Sequence, residues 1–326
     1  FDLFVSNRDQ ASDLYENDGS GALSAVSAGP LTSRPSIGSC WTDYDNDGDL
    51  DAFTAGVPSY LYRNDDGQFV DVSSTSLPGS VALRGWACAW GDYDQDGNAD
   101  LFITHPAGFV GQPALTNALL HNEGDGTFSA VTDEPIVEGM APYTVGTWSD
   151  YDDDGDLVLF VGSGPADGTR ATDFLYENLL SDTGNARFAR IATDPIATDR
   201  VDGQVWRWID WDNDGDLDAY LTNYWGGQPG GLRNHMYRNE GDGSYVRVFD
   251  GPQSTDGGLS LANVWGDFDN DGDLDLFVSN TGGQQGALNK FYRNDGDGVF
   301  TSISVVPLTS DRASRRGGAA ADMDDD

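Results

Sequence analysis

The segment Trp41–Phe53, WTDYDNDGDLDAF, comes back four more times along the chain, and this recurrence limits the fold more than any other feature. The copies are Trp90–Phe102, Trp148–Phe160, Trp208–Tyr220 and Trp265–Phe277. Their leading aspartates, Asp43, Asp92, Asp150, Asp210 and Asp267, lie 49, 58, 60 and 57 residues apart. A second element alternates with the first. It begins at Leu14 (LYENDGSGAL), Leu61 (LYRNDDGQF), Leu119 (LLHNEGDGTF), Leu175, Met236 and Phe291. Self-similarity at a period of this size signals a repeat architecture rather than a single irregular core.

Each unit reads as four short strands. One runs into the Asp-rich loop, as in GWACAW, and one follows it, as in DLDLFVSN. A third carries the Leu-Tyr-Arg-Asn signature, and a turn of Asn, Asp and Gly leads to the fourth. No segment has a long helical period. Four-stranded antiparallel units repeated radially predict an all-β fold, a β-propeller. The count is six blades, or seven if a blade lies outside this segment. Approximate boundaries are 315–326 plus 1–34, 35–80, 81–138, 139–200, 201–256 and 257–314, within one domain over 1–326.

Strand direction alternates within a blade, so all Asp-rich loops should share one rim. The opposite rim then carries the long insertions His105–Asn117, Gly164–Asp173, Tyr224–Asn234 and Thr281–Asn289. Phe109, Tyr224 and Trp225, with Arg170 and Arg233 nearby, make that rim the candidate partner-binding face for a protein or a glycan. The competing reading is a lid folded over the disc.

The loop pattern is D-x-D-x-D-G-x-x-D. Its candidate metal ligands are Asp43, Asp45, Asp47, Asp49 and Asp51; Asp92, Asp94, Asp96, Asn98 and Asp100; and Asp150, Asp152, Asp154 and Asp156. They continue with Asp210, Asp212, Asp214, Asp216 and Asp218, then Asp267, Asp269, Asp271, Asp273 and Asp275. Oxygen ligands at this spacing suit Ca2+ and disfavour zinc or copper. The first half is that of an EF-hand, but position twelve is Thr54 or Ile103 where an EF-hand needs Glu, and the flanks are strand-like. In the third loop Val158 replaces the ninth-position Asp, which predicts a weaker site or one using another oxygen.

Composition agrees. The chain carries 55 acids against 17 Lys plus Arg, a net charge of −38. Of the acids 49 are Asp and only 6 Glu, a bias towards turn and chelating residues over a merely solubilising surface. Such a charge argues against a nucleic-acid partner, and no run of eighteen apolar residues marks a membrane span. Cys40 and Cys88 have no zinc spacing. They fit one bridge or two buried free thiols, and the thiols are the expectation.

The chain ends ADMDDD. Asp322, Asp324 and Asp326 fall on positions one, three and five of a sixth loop, and FDLFVSN at Phe1 matches LDLFVSN at Leu274. Asp2 would then be position nine. The expectation is a ring closed by pairing the N-terminal second strand with the C-terminal first strand. The alternative is head-to-tail self-association through the same edges. About five or six Ca2+ ions follow, which favours an extracellular or cell-surface setting where calcium is abundant.

These segments resemble the FG-GAP and VCBS repeats of integrin-α-like propellers, and the resemblance covers essentially the whole chain. It implies a calcium ion in each matching loop. It also implies a non-catalytic role in adhesion, recognition or scaffolding, with a glycan-binding lectin as the alternative and a polysaccharide lyase-like enzyme as the second. The recurring Trp, and Tyr15, Tyr62, Tyr176, Tyr237 and Tyr292, read as packing residues. The Asn that follows them reads as a turn residue. His121 reads as a substitute at the Tyr position, and His105 and His235 have no nucleophile motif beside them.

Overall fold

A computed structural model of the chain describes residues 2–106, 115–164, 169–227, 231–281 and 287–310. The protein is a six-bladed β-propeller. Blade 2 is typical: Gly38–Thr42, Asp51–Ala55, Tyr60–Asp65 and Gln68–Asp71 form one antiparallel sheet in sequence order. Blades 3 to 6, over residues 87–130, 143–191, 203–248 and 260–303, repeat this four-stranded order. Blade 1 shows three strands, Leu3–Val5, Asp13–Asn17 and Leu23–Val26. Residues 315–326, expected to supply its first strand and close the ring, lie outside the described residues.

The first strands of blades 2 to 6 pack on one another in succession and so surround the axis. The second strands of blades 2 to 5 are covered on both faces by neighbouring blades. Asp51–Ala55, Asp100–Thr104, Val158–Ser163 and Asp218–Asn223 are buried at every position, which is why they read as nearly continuous apolar runs.

Aromatic side chains fill the seams between blades. Position two of one Asp loop, the recurring Trp of the next blade and that blade's fourth-strand aromatic form a repeating cluster. Tyr44 stacks on Trp90 at 6.1 Å and Tyr93 on Trp148 at 6.3 Å. Tyr151 stacks on Trp208 at 5.3 Å. Phe128, Phe188 and Tyr245 complete these three seams. The expectation that the Trp residues pack between blades holds here, and Tyr62, Tyr176, Tyr237 and Tyr292 are buried as expected. Phe268, the sixth-blade equivalent of Tyr44, is 45% exposed.

Cys40 and Cys88 form a disulfide between the first strands of blades 2 and 3, with Cα atoms 5.9 Å apart. This corrects the expectation of free thiols. The two strands are neighbours round the axis, so side chains 48 residues apart meet at bridging distance. Helical pieces among the described residues are single turns, such as Pro195–Thr198 and Pro252–Thr255 on blade-to-blade connections. None is long and apolar enough to cross a membrane.

Candidate metal centres

The backbone of each Asp loop is folded by its own carboxylates. In blade 2, Asp43 accepts hydrogen bonds from the amides of Asp47 and Gly48 at 3.0 and 2.9 Å, closing a tight turn over positions five and six. The same pair recurs at Asp92 and Asp267. Two residues per loop must take the left-handed conformation. Gly at position six has φ of 92° to 101° in all five loops, and position four, Asn46, Gln95, Asp153, Asn213 or Asn270, has φ of 55° to 60°. Asn and Asp tolerate this region better than other side chains. Position nine anchors the loop from below. Asp51 takes the Tyr44 amide at 3.0 Å and the Asn64 amide of strand three at 2.8 Å. Asp100, Asp218 and Asp275 repeat both bonds.

These bonds leave specific oxygens over. Oδ1 of Asp45, Asp94 and Asp212 at position three, and Oδ1 of Asp150 and Asp210 at position one, are buried with no hydrogen-bond partner. Carboxylate oxygens of Asp43, Asp45 and Asp51 converge within 4.8 Å, as do those of Asp92, Asp94 and Asp96; Asp150, Asp152 and Asp154; and Asp210, Asp212 and Asp218. Buried anionic oxygens crowded together without donors are costly unless a cation sits among them. The electrostatics agree. Burial, reinforced by adjacent carboxylates, pushes Asp51 up to about 6, Asp100 to about 7, Asp218 to about 8 and Asp152 to about 6. Asp45, Asp94, Asp212 and Asp275 are raised for the same reasons. An all-oxygen donor set of this kind fits Ca2+.

The third loop replaces what it lost. Val158 cannot anchor from position nine, and Asp156 at position seven is buried at 1% exposure instead. Asp156 Oδ2 accepts the Ser181 amide at 2.9 Å, while Asp156 Oδ1 has no partner. Asp156 thus offers a buried, unpartnered oxygen in the loop that lacks the ninth-position carboxylate. Asp2 accepts the Asn17 amide at 2.9 Å, the bond that Asp51 makes to Asn64. Asp2 thus sits at a position-nine register. Asp322, Asp324 and Asp326 lie outside the described residues.

Two readings of strand three need correction. His121 does not stand at the Tyr position. Leu120 pairs with Leu101 as Tyr62 pairs with Ala52, so His121 takes the place of Arg63. Its Nδ1 lies 3.2 Å from Asp94 and 3.3 Å from Asp100. The recurring Asn is more than a turn residue. Asn122, Asn178, Asn239 and Asn294 each donate Nδ2 to a position-two carbonyl of the preceding blade's Asp loop, Tyr44, Tyr93, Tyr151 and Trp211, at 2.8 to 2.9 Å. A sequence signal existed, since this Asn persists at Asn178 although the turn after it is longer than in the other blades.

On the opposite rim Trp225 and Arg233 are exposed and Tyr224 is half-buried. Arg170 donates Nε to the Gly226 carbonyl at 3.2 Å, so insertions of blades 4 and 5 meet there. Phe109 lies outside the described residues. His105 is buried between the Thr116 and Ala82 carbonyls, and His235 lies against Tyr237 and Asp199. Both hold structure together.

A family model described as FG-GAP-like repeat matches residues 43–103, 210–278 and 267–326, more than half of the chain. Cartilage acidic protein 1 of Mus musculus and of Homo sapiens are each 30% identical over 212 residues, which is 62% of this chain. The matched stretch spans 30% of the length of those relatives. Among solved structures, a periplasmic gluconolactonase of Pseudomonas aeruginosa is similar at 15% identity and TM-score 0.49, covering 93% of this chain and 82% of that one. A rhamnogalacturonan lyase of Bacillus licheniformis is similar at 13% identity and TM-score 0.46, covering 92% and 53%. Likeness at that level says nothing about activity. With its Asp loops ranged along one rim of a propeller, the chain belongs to the FG-GAP-like repeat family.

Proposed function

We propose that the protein is an extracellular, calcium-binding recognition module without catalytic activity of its own. It would use the Asp-loop rim to hold the disc together and the insertion rim to bind a protein or glycan partner. The observation that carries the calcium reading is the set of buried, partnerless carboxylate oxygens at positions one and three. Asp43 to Asp51, Asp92 to Asp100, Asp150 to Asp156, Asp210 to Asp218 and Asp267 to Asp275 are the proposed ligand stretches, and Asp2 is the described part of a sixth. In each, calcium would supply only charge neutralisation and cross-linking. The carboxylates and Asn98 would orient round it, and the amide bonds that fold the loops, such as those of Asp47 and Gly48 to Asp43 and of Tyr44 to Asp51, would be kept.

Direct partner-binding assays test the functional half. Purified chain applied to glycan and matrix-protein arrays should give saturable signals that a chelator lowers and Trp225→Ala weakens. Cleavage of a uronate polymer, followed by ultraviolet absorbance of the unsaturated product, would overturn the non-catalytic reading.

A further inference from the structure

The insertion rim carries a second feature, lined by loops other than those of Arg170 and Trp225. A cavity of about 370 Å3 opens where the insertion-side loops of blades 1, 2 and 3 converge. Three arginines, Arg8, Arg34 and Arg84, line it against one acid, Asp9. The chain as a whole has 55 acids and 17 Lys plus Arg, so three arginines lining one cavity are a local concentration of basic side chains, although Arg34 is paired with Asp71.

Two of the guanidinium groups are held by aromatic faces. Arg34 lies over Tyr60 at 4.0 Å from the ring centroid, and Asp71 fixes its Nη1 at 2.6 Å. Arg8 lies over Trp86 at 5.7 Å and, among the described residues, has no carboxylate partner. A cation–π contact of this kind leaves guanidinium N–H donors directed away from the ring. Their fork matches the two oxygens of a planar carboxylate, or two oxygens of a sulfate, and the ring contact restricts the side chain in advance. Between the arginines the wall is apolar, with Pro35, Ile37 and Pro58. Such a surface suits the C–H face of a ring and offers little to a simple hydrated ion.

We propose that this cavity binds an acidic saccharide, its carboxylate or sulfate held by Arg8 on the arginine-lined wall and its ring against the apolar wall. The volume accommodates about one or two sugar rings. The assignment rests on the insertion rim being the binding face. It adds the class of ligand and a location that the aromatic insertions do not mark.

The test is calorimetric titration of calcium-loaded full chain with digalacturonate, a sulfated galactose disaccharide and neutral galactobiose. At least one acidic dimer should bind saturably, and galactobiose should bind about tenfold more weakly or not at all. Sodium sulfate should compete. Arg8→Gln, a substitution at an exposed side chain, should weaken binding of the acidic dimer about tenfold while leaving the melting temperature unchanged. Arg293→Gln on the other rim should have no effect. Equal affinity for neutral and acidic dimers, indifference to Arg8→Gln, or no saturable binding of either acidic dimer would each overturn the proposal. If array binding that depends on Trp225 survives such a failure, only the cavity's role falls. If it too is absent, the reading of the whole rim falls.

Discussion

Asn239→Ala should destabilise the protein by about 3 kcal/mol. The side chain is 2% exposed and makes three hydrogen bonds. Nδ2 donates to the Tyr151 carbonyl of the preceding blade at 2.9 Å and to the Leu217 carbonyl at 3.3 Å, and Oδ1 accepts the Gly241 amide at 3.1 Å. Each such bond contributes roughly 1 kcal/mol net, and truncation strands buried backbone groups that water cannot reach. With an unfolding entropy of about 2.1 cal/mol/K per residue, a chain of this size loses roughly 1.5 °C in Tm per kcal/mol, so the expected drop is about 4 to 5 °C. Asn239→Asp should do at least as much damage, because it sets a carboxylate oxygen against two carbonyls. Asn185→Ala is the control. Asn185 bonds only within its own exposed turn, to the Thr183 carbonyl at 3.1 Å, so its loss should stay within about 0.5 kcal/mol. Urea unfolding followed by tryptophan fluorescence measures all three. If Asn239→Ala lands beside Asn185→Ala, the inter-blade clamp is no more than a turn, and the reasoning fails.

Three further outcomes are expected. Cys40→Ser/Cys88→Ser opens a loop spanning 48 residues, and chain entropy puts the loss near 4 kcal/mol, read as a lower urea midpoint under non-reducing conditions. Val158→Asp restores the position-nine carboxylate and should raise calcium affinity at the third loop, seen as one added or tightened step in a calorimetric titration. In the absence of metal, stability should fall as pH rises. Asp51, Asp100 and Asp218 are raised to about 6, 7 and 8 while their unfolded values lie near 3.9, so their contribution is complete below about pH 4, falls as pH rises, and is gone above about pH 6, 7 and 8 in turn. With calcium bound the trend reverses, because protons then compete with the ion. Thermal melts across this range in chelator and in calcium should slope in opposite directions.

The fold was legible because its signal repeats. Five copies of one loop and six of one strand signature state the blade, its strand order and its acidic rim, and the apolar DLDLF runs announce strands covered on both faces. What stayed hidden depends on how one blade sits against the next. Asn122 reaches Tyr44 across 78 residues and Asn239 reaches Tyr151 across 88. The Cys40–Cys88 bridge needed the same blade-to-blade register. His121 was misplaced by a single position, which in a strand moves a side chain to the other face. The arginine cavity draws on loops from three blades and belongs to no repeat, so no periodicity could mark it. Asp156 shows the reverse case. It stood among the candidate ligands and Val158 was visible as the departure, but only the burial of Asp156 singles it out from the other acids of that loop.

The central claim is that the Asp loops are calcium sites on which the disc depends. Thermal melting of the purified chain in millimolar calcium and in excess chelator tests it most directly. At free calcium about 100-fold above Kd, each independent site adds roughly 2.7 kcal/mol to stability, so several sites together should raise the Tm by well over 10 °C. Magnesium at the same concentration should recover only part of this, since it demands tighter octahedral geometry. A Tm that does not move between calcium and chelator would contradict the account.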